Sequence, residues 1–244
     1  MDEASATGWR EVFSVIEIHA VEKALREIWG LLLADSAWVE NALHVLNERQ
    51  FSESIVLKFD ELIRDAEKWA QHPILEILSQ TFDPHPVYDA ASSSRRTMRA
   101  GLPVFDTIPD FYFRRPTRPG RSPMTSGLFM EAKIIDHKKL MGNYCGKGLV
   151  RFVDGRYAWD MPQGLMLGYV RNTAQKLPHA LVQHFQRLGK ADEYQLRQLN
   201  PQAFSASRFS ERMYITLHGR PNPHPVSGKA NGDILVYHLW LRVT

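Results

Sequence analysis

Residues 128–135 read Leu-Phe-Met-Glu-Ala-Lys-Ile-Ile, an apolar run broken by charge at two positions. A short run with no helical stripe, bounded by polar residues, predicts a buried strand. Side chains two apart on a strand share a face, so Glu131 and Lys133 point one way and Met130, Ala132 and Ile134 the other. A carboxylate and an ammonium planted in a buried strand are costly unless each is paired or bound to something. This strand is therefore expected to lie in the core and to carry a site.

Upstream, Pro109-Asp110 precedes Phe-Tyr-Phe, a second strand-like run. If that run neighbours residues 128–135, the carboxylates of Asp110 and Glu131 converge. Two hard oxygen ligands and a backbone carbonyl, that of Ala132, leave room for waters on Mg²⁺, with Mn²⁺ as a substitute. A cation held there can activate a water and offset charge developing on a phosphate, and Lys133 can orient that water or help deprotonate it. The alternative is a Glu131–Lys133 ion pair on a solvated sheet face.

Further out, the first third of the chain is helical in pattern. Val12, Phe13, Ile16, Leu25, Ile28, Trp29 and Leu32 recur at helical spacing. Asp35 or Ser36 caps a second helix to about Leu46, Ser52 a third, and Pro73 opens a short fourth. After Phe82, prolines punctuate short apolar runs. Leu149–Val153 and Tyr157–Trp159 flank Asp154-Gly155 as a hairpin would. Pro162 is expected to open a helix to about Thr173 and Pro178 another to about Leu188, with strands over Met213–Leu217 and Ile234–Leu241. The expected class is α/β or α+β: a helical region over 1–80 and a mixed-sheet core over 81–244.

Of the 244 residues, 44% are hydrophobic and 23% charged, which excludes wholesale disorder. The net charge of +3 conceals a division. Residues 1–80 hold 7 basic and 15 acidic side chains, whereas residues 81–244 hold 23 basic and 12 acidic. A basic second part points to a polyanion, with duplex DNA the expected partner. Arg99, Arg114, Arg115, Arg118 and Arg121, with Arg95 and Arg96 just upstream, surround the Asp110 segment. Arginine forks suit phosphate oxygens. Lys138, Lys139, Lys147 and Arg151 extend that basic surface, and His137, beside Lys138, is an auxiliary candidate. The one cysteine, Cys145, excludes an internal disulfide and a multi-cysteine zinc site, and suggests a reducing, cytoplasmic setting. No run is apolar enough to span a membrane, and no Gly-rich phosphate loop signals a nucleotide cofactor.

Around Pro109-Asp110 and Glu131-Ala132-Lys133 the sequence resembles the PD-(D/E)XK superfamily of restriction-endonuclease-like nucleases. The resemblance covers residues 106–136. It implies a central mixed sheet flanked by helices and Mg²⁺-dependent hydrolysis of phosphodiester bonds. Asp110 and Glu131 become the metal ligands and Lys133 the catalytic lysine. It further implies a third acid from a preceding helix, for which Glu76 is the candidate and Glu53 and Glu61 the alternatives. A Gln and a Tyr on a helix after the site correspond to Gln163 and Tyr169. Restriction, repair or defence against mobile DNA are the settings it suggests.

Two histidines near the end of the chain belong to a different test. A phosphodiesterase built on paired histidines needs H-x-[ST] twice, but His218 precedes Gly-Arg and His238 precedes Leu-Trp. His238 reads as a hydrogen-bonded sheet residue, while His218, with Arg220 and His224, is a candidate substrate contact. The competing functions are a non-catalytic nucleic-acid- or protein-binding module on the same fold and an RNA nuclease. Trp9, Trp29 and Trp38 offer apolar surface for either a homodimer contact or the core.

Overall fold

The computed structural model describes residues 13–83, 86, 109–115, 127–155, 161–223, 230 and 232–243. Arg95, Arg96, Arg99, Arg118, Arg121, His224, Trp9 and the segment 157–159 lie outside them.

Helix α1 (Val15–Leu33) starts on a capping box between Ser14 and Glu17. Asp35 caps α2 (Ser36–His44) by accepting the N–H groups of Ala37 and Trp38. The third helix, α3 (Glu48–Arg64), begins earlier than Ser52: Asn47 closes its own capping box with Gln50. The Ser52 hydroxyl, one turn inside, donates to the Glu48 carbonyl. Short helices α4 (Ala66–Ala70) and α5 (Pro73–Thr81) complete this layer, α5 opening on its proline.

Strand β1 (Phe111–Arg114) pairs antiparallel with β2 (Gly127–Ile135), with Phe111 opposite Met130. A helical segment follows: α6 (Met141–Tyr144), a π-helical turn (Cys145–Leu149) and α7 (Val150–Val153). The Leu149–Val153 half of the expected hairpin is therefore helical. Gly155, at φ 73°, ends α7 as a left-handed residue just past a helix C-cap, so the Asp-Gly pair stops a helix instead of turning a hairpin.

The expected helix from Pro162 is also corrected, to strand β3 (Gln163–Val170), parallel to β2. Its run Gly-Leu-Met-Leu-Gly-Tyr-Val is buried on both faces, and such a run carries neither period. Helices α8 (Leu177–Phe185) and α9 (Lys190–Glu193) lead to β4 (Gln202–Ala203), β5 (Tyr214–His218) and β6 (Ile234–Arg242). The result is an α+β fold with one mixed six-stranded sheet, ordered β1-β2-β3-β6-β5-β4, whose central three strands are parallel.

Helices cover both faces. On one, Tyr169 of β3 stacks on Phe51 of α3 and Trp29 of α1, with ring centroids 4.8 and 5.7 Å apart. Trp29 also donates its indole N–H to the Arg242 carbonyl, and half-buried Trp38 packs edge-on against it, so these two tryptophans build the core. On the other face, Gly164 and Gly168 of β3 let Phe152 and Trp240 approach where a Cβ would collide. Buried side chains from α1 through β6 form one continuous core, so the boundary near residue 80 divides charge and not packing.

Candidate functional site

Strand register brings the expected trio together. β1 runs from Phe111 and pairs only with the first half of β2, so the second half of β2 presents an open edge beyond Pro109. Proline cannot continue a ladder. Asp110 takes over there: its Oδ2 accepts the Ala132 N–H at 2.7 Å, where the next backbone bond would lie. The next exposed N–H on that edge, of Ile134, goes to Oε1 of Glu48 at 3.3 Å.

The face of β2 that carries Glu131 and Lys133 lies against the π-helical turn. A Cβ at Gly148 would stand 3.2 Å from Cγ of Lys133 and 2.5 Å from Cε of Met166, so this glycine lets the turn close over the lysine stem. Lys133 Nζ is the meeting point. It lies 2.5 Å from Oε1 of Glu131, 3.4 Å from Oε2 of Glu48 and 3.8 Å from Oδ2 of Asp110, and donates to the Ala132 carbonyl at 2.6 Å. Arg151 of α7 adds a second cation, donating through Nη1 to the same Glu131 Oε1 at 2.6 Å. Glu131 and Lys133 form the floor, with side chains 0% and 6% exposed, while Asp110, Glu48 and Arg151, at 28–29%, form the rim.

Electrostatics follow from that crowding. Burial, then the neighbouring Glu131 charge, push the Asp110 carboxyl up to about 6, against the pull of Lys133 and the Ala132 N–H. Burial works to neutralise Lys133, but Glu131, Asp110 and Glu48 outweigh it and hold the amine above its ordinary value. Lys133 is therefore an ammonium that donates hydrogen bonds, and in this setting it takes no proton from water. Among the described residues, two cations face three carboxylates at this site.

The donor chemistry fits a hard divalent ion: three carboxylates and a carbonyl oxygen, without nitrogen or sulfur. Among the described residues no three acid, histidine or cysteine side chains close around a common point by themselves, because the Lys133 ammonium stands between these. Asp110, Glu131, Glu48 and the Ala132 carbonyl are the groups that would hold the ion, with Lys133 and Arg151 giving way at Glu131.

The acid that joins Asp110 and Glu131 around Lys133 is Glu48, a residue not among the expected Glu76, Glu53 and Glu61. Glu76 is exposed on α5, Glu53 pairs with Arg49, and Glu61 pairs with Lys58 and Lys68. The Asn47-x-x-Gln50 capping box starts α3 at Glu48, but nothing in it marks that acid for the site.

Gln163 and Tyr169 sit on strand β3 and serve structure. Gln163 accepts the Phe13 N–H at 2.5 Å and donates to the Phe13 carbonyl and the Tyr237 hydroxyl. The Tyr169 hydroxyl bonds Ser52 at 2.9 Å on the opposite side of the sheet from Lys133. Arg114 pairs with Asp83, and Arg115 pairs with Glu17 while lying over the Phe13 ring, so both tie β1 to the helical layer. His137, Lys138 and Lys139 are exposed on the turn after β2, which Asp136 holds by accepting the N–H groups of Lys138 and Lys139.

His218 is fully buried and outside the site. Its Nδ1 donates to the Tyr194 carbonyl at 2.7 Å, which leaves Nε2 to accept from the Thr216 hydroxyl at 2.6 Å. Thr216 in turn accepts from His238 Nε2 at 2.8 Å, and His238 Nδ1 takes the Tyr144 hydroxyl at 3.0 Å. With both rings neutral, every member of this chain has a partner. Burial accordingly depresses His218 to about 4 and His238 to about 3. Cys145 is buried too, its thiol pushed up by that burial.

Comparison with protein-family models, curated proteins and solved structures gives no significant match. Among the described residues no helix is long and apolar enough to cross a membrane.

Proposed function

We propose that the chain is a divalent-cation-dependent nuclease of the restriction-endonuclease-like kind, acting on DNA phosphodiester bonds, with restriction, repair or defence as its setting. The observation that carries this reading is the convergence of Asp110, Glu131 and Glu48, from β1, β2 and α3, within 3.8 Å of the Lys133 nitrogen. A sheet does not need three carboxylates around one lysine for stability, since ions taken out of water are replaced by apolar residues at little or no loss.

When bound, Mg²⁺ would polarise a phosphate oxygen and acidify a water. Asp110, Glu131, Glu48 and the Ala132 carbonyl would hold the ion at the open edge of β2. Lys133, an ammonium anchored on the strand floor, donates to a phosphate oxygen and offsets charge that builds on the phosphorus centre. Lys138 and Lys139, exposed just past β2, lie near enough in sequence to contact the backbone without reading bases.

The binding-module reading has one observation in its favour: Glu131 Oε1 already accepts from two cations. Cleavage separates the two. Plasmid, linear duplex, single-stranded DNA and RNA are incubated with Mg²⁺ or Mn²⁺ beside Glu131→Gln and Lys133→Ala. The nuclease reading expects DNA cutting that EDTA and either substitution abolish. Binding without cutting in the unsubstituted chain would establish the module instead.

A further inference from the structure

The site has two unlike walls. Asp110 and Glu48 reach it from β1 and α3, around the open edge of β2. The face that holds Lys133 is covered instead by the segment running from the end of β2 through α6, the π-helical turn and α7. Residues 137–153 of that segment include three lysines, one arginine and one histidine, and no acid. Lys138, Lys139 and Lys147 are exposed, and among the described residues their ammonium groups have no ion pair or hydrogen bond. Cations of the helical layer are committed otherwise: Arg49 pairs with Glu53, and Lys58 and Lys68 pair with Glu61.

Both places that carry these lysines are held in position. Asp136 fixes the turn after β2 by accepting the N–H groups of Lys138 and Lys139 at 2.8 and 2.7 Å, and Arg171 pairs with Asp136 in turn. The π-helical turn is pinned by Cys145 and Leu149, both fully buried, on either side of Lys147. Gly148, bonded to Lys147, lies against the Lys133 stem, so Lys147 leaves the backbone one residue, about 3.8 Å, from the wall of the site. Each ammonium is a point charge that needs no planar partner, which suits a ligand with evenly repeated negative charge. A nucleic-acid backbone is such a ligand. Resting on the nuclease reading, we propose that Lys138, Lys139 and Lys147 form one phosphate-bearing wall, along which the backbone of duplex DNA lies when a phosphodiester enters the site. The carboxylates of Asp110 and Glu48 keep the backbone off the opposite wall. Contacts to phosphate alone carry no sequence, so this wall positions a duplex without selecting one.

Duplex binding by the full chain, measured in EDTA so that nothing is cut, tests the wall apart from the cation site. Affinity for two labelled duplexes of unrelated sequence is followed against salt concentration. The proteins are the unsubstituted chain, a triple variant with Lys138→Ala, Lys139→Ala and Lys147→Ala, the same three positions changed to Arg, and Lys23→Ala. Lys23 is an exposed lysine of α1, on the opposite face of the sheet. Each lost phosphate contact should flatten the log–log salt dependence by about 0.9, so the alanine triple should lose roughly 2–3 from that slope. Its affinity at about 0.1 M salt should fall by tenfold or more, equally for both duplexes. The arginine triple should keep the slope, and Lys23→Ala should match the unsubstituted chain. An alanine triple with unchanged slope, or one that loses no more than Lys23→Ala, would overturn the wall. Displacement of duplex by poly-glutamate at equal charge concentration would overturn it too, by assigning the lysines to an acidic protein segment. None of these results touches the nuclease reading, which stands or falls on cation-dependent cutting.

Discussion

Asp110→Asn should make the protein more stable at neutral pH. The carboxyl is pushed from its ordinary 3.8 to about 6, by burial first and then by Glu131, so the folded state holds that proton more tightly than the unfolded chain does. The sign follows: between about pH 4 and 6 the native state binds more protons, and stability from this group falls as pH rises through that window. Above pH 7 the deficit is full, about 3 kcal/mol for a shift of roughly two pH units. Asparagine keeps an oxygen for the Ala132 N–H and carries no charge. The gain should therefore approach that figure less about 1 kcal/mol for a weaker, neutral hydrogen bond. At 2–4 °C per kcal/mol for a chain of this size, the melting temperature should rise by roughly 4–8 °C at pH 7.5. At pH 4.5 the native carboxyl is mostly protonated, and the deficit in the unsubstituted chain shrinks to about 1 kcal/mol. Thermal and urea denaturation of both proteins in EDTA across pH 4.5–8 measures this gap, and Mn²⁺ should then stabilise the unsubstituted chain more than the variant. A variant no more stable at pH 7.5, or a gap indifferent to pH, would refute the account of Asp110 as a carboxylate crowded by its neighbours.

Glu48→Gln should retain the Ile134 hydrogen bond but weaken Mn²⁺ binding by about tenfold, the worth of one charged contact, whereas Glu76→Gln leaves it unchanged; calorimetry reads both. Acidification should destabilise the fold through the buried His218–Thr216–His238 chain. Both rings are held neutral well below 6.5, so their contribution is complete above that pH and is lost as pH falls toward 4 and 3. From pH 7 to 5 this amounts to about 4 kcal/mol, offset by about 1 kcal/mol from Asp110, and urea titrations at the two pH values measure the difference. Gly164→Ala should cost about 1–3 kcal/mol, because the new Cβ would lie 2.4 and 2.7 Å from atoms of the Phe152 ring, a rigid group inside the core. An unchanged melting temperature would show that α7 moves away without loss.

Much of the architecture was legible because local chemistry and packing agree. Asp35 caps a helix wherever it stands before a helical stripe, and α2 starts on it. Leu128–Ile135 has no helical stripe, and β2 occupies it. Where a segment is buried all round, pattern falls silent: Gln163–Val170 reads equally as helix or strand, and only its place between β2 and β6 decides. Asp154-Gly155 suits a hairpin or a helix stop, and the choice lies in what Phe152 packs against.

The site divides along the same line. Alternation along a strand puts Glu131 and Lys133 on one face from sequence alone, because the period of two is a property of the backbone. Glu48 carries no local mark of its place, being an ordinary acid in a helix first turn, and Arg151 reads from sequence only as part of a basic surface. Glu48 meets Lys133, and Arg151 meets Glu131, only because α3 reaches the open edge of β2 and α7 is drawn down over its face. Covalent order sets which side chains share a strand, whereas the burial of apolar faces sets which strands and helices share a site.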